Sequence, residues 1–191
     1  MKEKIKNIIA IASEIKQAML ADEHLHGKIE DAVQQISNAF SKGNKVLFCG
    51  NGGSASDAQH LAAEFSGRFY KDRKALPAEA LHCNTSYLTA VANDYGFEHV
   101  YARLVEGIGN EGDVLIAFST SGNSENIVEA LKVARKKNMI TIGFTGLHGG
   151  AINDFCNLVF LAPSTITPRI QECHILLGHI ICELVEEKLF S

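Results

Sequence analysis

One continuous apolar run, Val114–Phe118, constrains the fold of this chain more than any other stretch. The run is short, contains β-branched residues and has no polar position, which is typical of a strand buried on both faces of a parallel sheet. Serine, threonine, glycine and asparagine residues follow at 119–124, and a helical pattern begins directly after them. A buried strand, a polar turn and a helix in this order predict one unit of an α/β domain.

The same order of strand, loop and helix recurs along the chain. Further strands are predicted at residues 45–49, 79–82, 140–144 and 158–161, and helices at 56–69, 86–93, 98–108, 124–137 and 169–188. This alternation implies right-handed βαβ units, and therefore a central parallel sheet of about five strands covered by helices on both faces, a three-layer α/β/α sandwich. Because no repeat, low-complexity tract or long linker interrupts the pattern, we expect residues 1–191 to form a single domain, with the α/β core at 45–191.

Two amphipathic helices are predicted before the core, within residues 1–44. The first, at 2–20, carries an apolar stripe of residues three and four apart: Ile5, Ile8, Ala12, Ile15 and Met19. The second, at about 28–41, carries a similar stripe, and Gly43 suits its C-terminal cap. Each stripe needs an apolar partner, so the two helices could pair with each other or form a subunit interface.

Composition excludes several classes of protein. The net charge of −4 and the lack of basic runs argue against nucleic acid or a membrane surface as a partner. No stretch approaches the roughly 20 apolar residues that span a bilayer, and the N-terminal apolar segment is too short for a signal peptide. The 5 cysteines are odd in number and lack C-x-x-C spacing, so we expect reduced thiols and a cytoplasmic protein.

The segment at residues 119–124, called the serine loop below, has the features of a phosphate site. Its hydroxyl groups and the Gly122 amide collect where a helix begins, and the free N–H groups and positive dipole end of a helix favour an anion. Hydroxyl groups in place of a lysine favour a phosphorylated sugar over a nucleoside triphosphate. The alternative is a plain capped turn between strand and helix.

A glycine-rich turn at residues 50–55 follows the first predicted strand and formally matches the dinucleotide-binding pattern G-x-G-x-x-A. That function also needs an acidic residue about 20 positions later at a strand end, where this chain has a predicted loop at residues 70–72. The NAD interpretation is therefore disfavoured. Instead, Gly52 and Gly53 would let the backbone approach a sugar, while Asn51 and Ser54 would hydrogen-bond its hydroxyl groups.

Two helices carry residues that suit acid–base chemistry or a metal. His60 and Glu64 lie four positions apart on one helix face, where they form either a shared site or an ordinary surface contact. The last helix carries Gln171, His174, His179 and Glu183 among aliphatic residues. Gln171 and His179 are separated by about 12 Å of helix rise, so binding one ion would need extended side chains.

In this helix, a histidine among aliphatic residues is either a hydrogen-bonded core residue or, facing a polar cleft, an acid, base or ligand. Glu183 is expected at the surface. Elsewhere, Asp94 could orient a substrate hydroxyl or cap the next segment, and Arg169 could meet phosphate or a neighbouring loop.

Four segments together, at residues 50–64, 93–94, 119–124 and 167–179, resemble the sugar-isomerase (SIS) domain family, and the resemblance covers essentially the whole chain. It implies an aldose–ketose isomerase that converts D-sedoheptulose 7-phosphate to D-glycero-D-manno-heptose 7-phosphate through an enediol, supplying heptose for bacterial lipopolysaccharide core, capsule or S-layer. It also implies a homotetramer built partly through the N-terminal helices.

The resemblance further implies site residues. Substrate contacts fall at Asn51, Gly52, Gly53, Glu64, Asn93, Asp94, Ser119, Thr120, Ser121, Ser124 and Gln171. A zinc ion, one per subunit, would be bound by His60, Glu64, Gln171 and His179, with Glu64 and His179 as acid and base. Because one carboxylate does not easily serve as both a tight ligand and a free base, the sequence leaves open whether zinc is required.

The main alternative is a non-catalytic SIS-fold binding protein of the type that associates with the bacterial replication initiator. It would keep the fold and the tetramer, but a protein-binding scaffold has no need for acids and bases lining a cleft. A phosphosugar-sensing regulator is a third alternative, and the sequence contains no DNA-binding module.

Overall fold

The computed structural model describes residues 1–191 and contains a 5-stranded parallel sheet in the order β2-β1-β3-β4-β5. Its strands are β1 (Val46–Cys49), β2 (Ala78–Ala80), β3 (Val114–Phe118), β4 (Ile140–Thr145) and β5 (Leu158–Leu161). The helices are α1 (Lys2–Leu20), α2 (Glu23–Ser41), α3 (Gly53–Ser66), α4 (Thr85–Tyr95), α5 (Val100–Ile108), α6 (Glu125–Lys136) and α7 (Thr167–Phe190). Short 3₁₀ helices span Phe97–His99 and Ala151–Phe155.

Several predicted boundaries were wrong. Helix α2 begins five residues earlier than expected, because the Asp22 carboxylate caps it by accepting a hydrogen bond from the Leu25 N–H at 3.0 Å. Helix α3 begins at Gly53 rather than residue 56, since Gly52 turns the chain directly out of the loop after β1 with φ +55°. Strand β2 is shorter than the predicted 79–82, and the expected helix at 98–108 is a 3₁₀ turn followed by α5.

Helices cover both faces of the sheet, which confirms the three-layer α/β/α prediction. Helices α2, α3 and α7 pack on one face against side chains that include Phe48, Ile116 and Phe118. Helices α5 and α6 pack on the other face against Leu47 and Leu115, with α4 at its edge. Because alternate residues of β1 and β3 point to opposite faces, each strand supplies side chains to both cores. No α-helix has an apolar segment long enough to cross a bilayer.

Helix α1 is only partly covered within the chain. Met19 is buried at its C-terminal end, and Ile15 packs against the core. Ile5, Ile8 and Ile9 are 49%, 44% and 60% exposed, so much of the apolar surface in the N-terminal half of α1 is uncovered in this chain. Helix α1 therefore does not pair with α2 along its length, and a subunit interface there remains a prediction.

The close crossing of α3 and α7 matters most for the site. Gly178 of α7 lies against Leu61 of α3, and a Cβ atom added to Gly178 would collide with the Leu61 side chain. Leu61 is itself buried, so it has little room to move. His60 and His179 are the sequence neighbours of these two residues, and the close helix approach therefore brings them together.

We expect Gly178→Ala to lower the free energy of unfolding by about 1–3 kcal/mol, because the added methyl group overpacks the contact between α3 and α7. The matched control is Gly27→Ala in α2, where an added Cβ meets no atom within 4 Å. That control should instead raise stability by about 0.5–1 kcal/mol, since alanine is the better helix residue. Urea unfolding of both variants checks this, and equal effects would contradict the close-packing argument.

Candidate active site

The polar loops meet at the carboxyl edge of the sheet. Strands β1 and β3 are adjacent and in register, with Cys49 paired to Ala117, so the glycine-rich turn and the serine loop leave the sheet side by side. Helix α3 starts from the first loop and α6 from the second. This edge, at a point where the strand order reverses, is where open parallel sheets bind ligands.

His60, Glu64 and His179 form a tight cluster where α3 and α7 pack together, called the His–Glu cluster below. The Nε2 atoms of the two histidines are 2.9 Å apart, and His60 Nε2 is 3.1 Å from Glu64 Oε1. One nitrogen or oxygen of each residue lies within 4.8 Å of the others. The structure thus brings together residues 119 positions apart in sequence. Two imidazoles and a carboxylate can share a proton or hold one metal ion.

The electrostatic environment favours a neutral His179. Partial burial lowers the pKa of His179, the nearby His60 lowers it further, and the Glu64 carboxylate opposes both effects. A neutral imidazole is the form that binds a metal or accepts a proton. The Phe69 ring, 5.9 Å away centroid to centroid, adds apolar surface beside it.

Gln171 lies elsewhere on the same helix pair. Its side-chain amide packs against Gly53 at the start of α3, so closely that a Cβ on Gly53 would collide with it. Gly53 precedes His60 by about 10 Å of helix rise. Three members of the predicted zinc set thus gather in the His–Glu cluster, while Gln171 lies beside the glycine-rich turn. Its membership of the zinc set remains a prediction.

The glycine-rich turn is held from two sides. The Tyr101 hydroxyl donates to the Gly50 carbonyl at 2.6 Å. The side-chain amides of Asn51 and Asn126 exchange two hydrogen bonds, each 2.9 Å long. Ser54 is 4% exposed, so this residue is buried rather than on an open surface.

Hydroxyl groups of the serine loop face one another. Ser119 Oγ lies 2.9 Å from Ser124 Oγ and 3.5 Å from Ser121 Oγ. Ser124 is the N-cap of α6 but its side chain makes no capping hydrogen bond, which leaves it available with the first-turn N–H groups for an anion. Gly122, at φ +69°, packs so closely on the Gly149 carbonyl that a side chain would overlap it.

Thr120 and Ser121 also line a cavity of about 170 Å³ with residues that follow β4 and β5. These include His148, Ser164 and Thr165, which the sequence analysis did not single out. The loop therefore presents polar groups on more than one side.

Other predicted residues lie outside these clusters. Asn93 donates to the Asp94 carboxylate at 2.8 Å at the exposed end of α4, and neither hydrogen-bonds α3, α6 or α7. Arg169 pairs with Glu172 at 2.6 Å and donates to the Ile8 carbonyl at 3.3 Å, so it joins α7 to α1 rather than to the serine loop.

The two remaining polar residues of α7, His174 and Glu183, differ in burial. His174 is fully buried, with Nε2 3.1 Å from the Thr145 carbonyl, which matches the core alternative. Burial lowers its pKa to about 4, and that hydrogen bond opposes the shift. Glu183 is half-buried rather than fully at the surface.

Sequence reasoning also missed Asp57, one turn before His60 on α3. Burial raises the pKa of its carboxyl to about 6, although the nearby His60 lowers it. One oxygen, Oδ2, is buried without a hydrogen-bond partner. Aspartate is common near the start of helices, so the sequence pattern does not indicate that this carboxyl group is partly buried.

A buried ion pair that the sequence did not reveal holds the C-terminal end of α3 in place. Glu186 of α7 accepts hydrogen bonds from the N–H groups of Phe69, Tyr70 and Lys71 at 3.0, 2.7 and 2.7 Å, and from Arg73 Nε at 3.0 Å. Arg73 in turn donates to the carbonyls of Glu64, Phe65 and Gly67, which caps the end of α3. This pair locks the C-terminal end of α3 to α7.

Comparison with known proteins identifies close relatives. Residues 8–146 match the model of the SIS domain family. The chain is 51% identical over 187 residues to phosphoheptose isomerase 2 of Campylobacter jejuni, covering 98% of this chain and 93% of the relative. It is 50% identical to the phosphoheptose isomerase of Aneurinibacillus thermoaerophilus, covering 100% of this chain and 96% of the relative.

A solved structure agrees with these relatives. The phosphoheptose isomerase of Neisseria gonorrhoeae superposes with a TM-score of 0.91 at 40% identity, covering 97% of this chain and 98% of that one. The likeness spans the N-terminal helices and the final helix as well as the α/β core.

We expect Glu186→Gln to lower the free energy of unfolding at neutral pH by about 3–5 kcal/mol, because it leaves the buried Arg73 without its counter-charge. Burial alone would raise the pKa of Glu186, but the three backbone N–H groups and Arg73 lower it overall. A lowered native pKa stabilises the fold above the unfolded pKa of about 4.3, and that stabilisation is lost as the pH falls through the native pKa.

The difference in stability between wild type and Glu186→Gln should therefore shrink as the pH falls below about 4. Urea unfolding at a series of pH values measures it. The matched control is Glu187→Gln, an exposed carboxylate one position further along α7, which should change little at any pH. A pH-independent difference would contradict the role given to the ionised Glu186.

Proposed function

The chain belongs to the SIS domain family, as one of its phosphoheptose isomerases, and we propose that it interconverts D-sedoheptulose 7-phosphate and D-glycero-D-manno-heptose 7-phosphate. The observation that carries this proposal is the His–Glu cluster, because it provides a carboxylate and an imidazole side by side between α3 and α7. The hydrogen-bonded contact between Asn51 and Asn126 ties the neighbouring turn to the segment that follows the serine loop.

The reaction moves one carbon-bound proton and one oxygen-bound proton. We assign Glu64 to remove a proton from C1 of the open-chain ketose, which forms the enediol, and to return it to C2. His179 would carry the second proton from the C1 hydroxyl to the C2 oxygen. Its lowered pKa keeps it neutral, and therefore able to accept that proton, in the physiological range.

The His–Glu cluster also fits a zinc ion. Two histidine nitrogens and a carboxylate within 4.8 Å of one another are the donor types that zinc prefers, and catalytic zinc commonly has three protein ligands. His60, Glu64 and His179 would hold the ion, with Gln171 as the fourth ligand implied by the family resemblance. Because an atom bound tightly to zinc cannot also accept a proton, Glu64 and His179 would coordinate the ion only loosely if they also transfer protons. A bound zinc would polarise the substrate carbonyl and stabilise negative charge on its oxygen.

The serine loop would bind the phosphate at the far end of the sugar. Ser119, Ser121 and Ser124 converge at the start of α6, where helix N–H groups and the helix dipole add favourable interactions with an anion. Binding the non-reacting end of the substrate lowers the entropy cost of aligning C1 and C2 with the acid and base.

The proposal includes a homotetramer in the cytoplasm that serves bacterial heptose synthesis. The apolar surface of α1, with Ile5, Ile8 and Ile9 exposed in the single chain, supports burial against further subunits. Asn93 and Asp94, which lie away from the His–Glu cluster in the single chain, would then reach substrate through the assembly.

Purified protein should convert sedoheptulose 7-phosphate to an aldose phosphate, because the site supplies both proton-transfer groups. Proton NMR of the product and exchange of the C1 proton with solvent deuterium measure the reaction. Binding of the ketose phosphate without any turnover, with or without added zinc, would instead favour a non-catalytic SIS-fold binding protein.

We expect Glu64→Gln to lower kcat about 10²–10⁴-fold while substrate still binds, because the amide keeps the shape of glutamate but cannot accept the carbon-bound proton. The matched control is Glu187→Gln, an exposed position on α7 away from the cluster, which should retain wild-type kcat. Undiminished activity of Glu64→Gln would remove Glu64 from the mechanism.

Zinc should bind at one ion per chain, because the His–Glu cluster offers three ligands at one point. Loss of a residue that only hydrogen-bonds a metal ligand typically weakens metal binding roughly 10–100-fold. Because His60 would itself be a ligand, we expect His60→Ala to weaken zinc binding by more than that. Isothermal titration with zinc measures this without an activity assay. Unchanged binding by His60→Ala would place the metal elsewhere, and His24→Ala, an exposed histidine on α2, is the control.

A further inference from the structure

The reciprocal amide pair between Asn51 and Asn126 provides the side-chain hydrogen bonds that join the first loop of the site to the start of α6. Asn51 follows β1, and Asn126 lies in the first turn of α6, two positions after Ser124. Asn51 Nδ2 donates to Asn126 Oδ1 at 2.9 Å, and Asn126 Nδ2 donates to Asn51 Oδ1 at 2.9 Å. The residues are 75 positions apart in sequence, so only the fold brings them together.

The two partners differ in exposure. Asn126 is 3% exposed, whereas Asn51 is half-buried at the open edge of the sheet. A buried amide that loses its partner is left with an unsatisfied donor and acceptor, so the pair strongly favours a single spacing of the two loops. Asn126 is therefore the anchor, and Asn51 is the member that faces the ligand space.

The pair uses only part of the hydrogen-bonding capacity of the Asn51 amide. A primary amide has two N–H donors and two acceptor lone pairs on its oxygen, and the cyclic pair uses one of each. Asn51 keeps one N–H and one lone pair, and their direction is set by Asn126. Both amides must be correctly oriented, because rotating one of them by 180° would place nitrogen against nitrogen and oxygen against oxygen.

We propose that Asn126 is a positioning residue for the substrate, acting through Asn51. It orients the free N–H and carbonyl of the Asn51 amide toward a sugar hydroxyl, and it sets the distance between the glycine-rich turn and the serine loop. The two ends of an extended phosphosugar would then be held at a defined separation. This inference rests on the proposed function, since it concerns the same phosphosugar site.

The chain offers a contrasting amide for comparison. Asn157 also accepts hydrogen bonds from a buried segment, from the Thr141 N–H at 2.8 Å and the Thr141 hydroxyl at 2.9 Å. It lies before β5, at the opposite edge of the sheet from the serine loop. Loss of Asn157 should therefore affect stability without affecting substrate.

The test is a double-mutant cycle of Asn51→Ala, Asn126→Ala and the double variant, with Asn157→Ala as the control. We expect each single variant to raise KM and to lower kcat/KM for sedoheptulose 7-phosphate about 10- to 100-fold. The double variant should lose no more than the more affected single variant, because Asn126 acts through Asn51. Asn157→Ala should keep the wild-type KM, which does not depend on the fraction of folded protein.

Asn126→Asp is a second variant in case alanine at this position prevents folding. It keeps the shape of the side chain but replaces the donor with an oxygen that faces the Asn51 carbonyl, so it should also raise KM. Independent, multiplicative losses for Asn51→Ala and Asn126→Ala, or a wild-type KM in Asn126→Asp, would overturn the inference.

The affinity of each variant for sedoheptulose 7-phosphate is also measured by calorimetry. Because binding can be measured without turnover, this measurement tests the inference separately from the proposed function. Coupled losses of binding in a protein without turnover would support the positioning role and contradict the isomerase. Wild-type protein that neither binds nor converts this phosphosugar would contradict both.

Discussion

The geometry of the candidate active site depends on one close contact, between Leu61 of α3 and Gly178 of α7. Because Gly178 has no side chain, the two helices approach closely enough for the neighbouring histidines, His60 and His179, to lie 2.9 Å apart. Most of the stability of such a helix contact comes from the apolar residues around it, while the glycine sets the distance between the two helices. The chemistry of the site is therefore set by the packing of the core.

Buried polar interactions then hold the loops at the two ends of α3. Glu186 binds three consecutive backbone N–H groups after α3, and its partner Arg73 caps the end of that helix. At the other end of α3, the Asn51–Asn126 pair fixes the turn that precedes it. Both are satisfied at nearly every polar atom, as buried networks must be if they are to stabilise one arrangement. Helix α3 is thus fixed at both ends, which suits a helix that presents His60 and Glu64.

Sequence patterns predicted local structure well and distant partners poorly. Strand β3 was predicted with its observed bounds because a continuous apolar run between polar turns has few alternatives. The start of α2 was missed, since Gly27 weakens the helical pattern and the Asp22 cap lies before it. The serine loop and the pair of His60 and Glu64 were found because their members are close in sequence. Asn126 and Glu186 were missed because their partners lie 75 and more than 110 positions away.

By itself, the sequence determined the class of fold, the edge of the sheet at which a ligand site is expected, and the residue types available for proton transfer. These follow from apolar periodicity and from the rule that parallel strands place their following loops at one edge. The family resemblance had grouped all four predicted zinc ligands, and only the tertiary structure decided that His60, Glu64 and His179 lie together while Gln171 packs against Gly53. The reason is that the relative depth and crossing point of two packed helices depend on side-chain volumes at their contact, which no local pattern encodes.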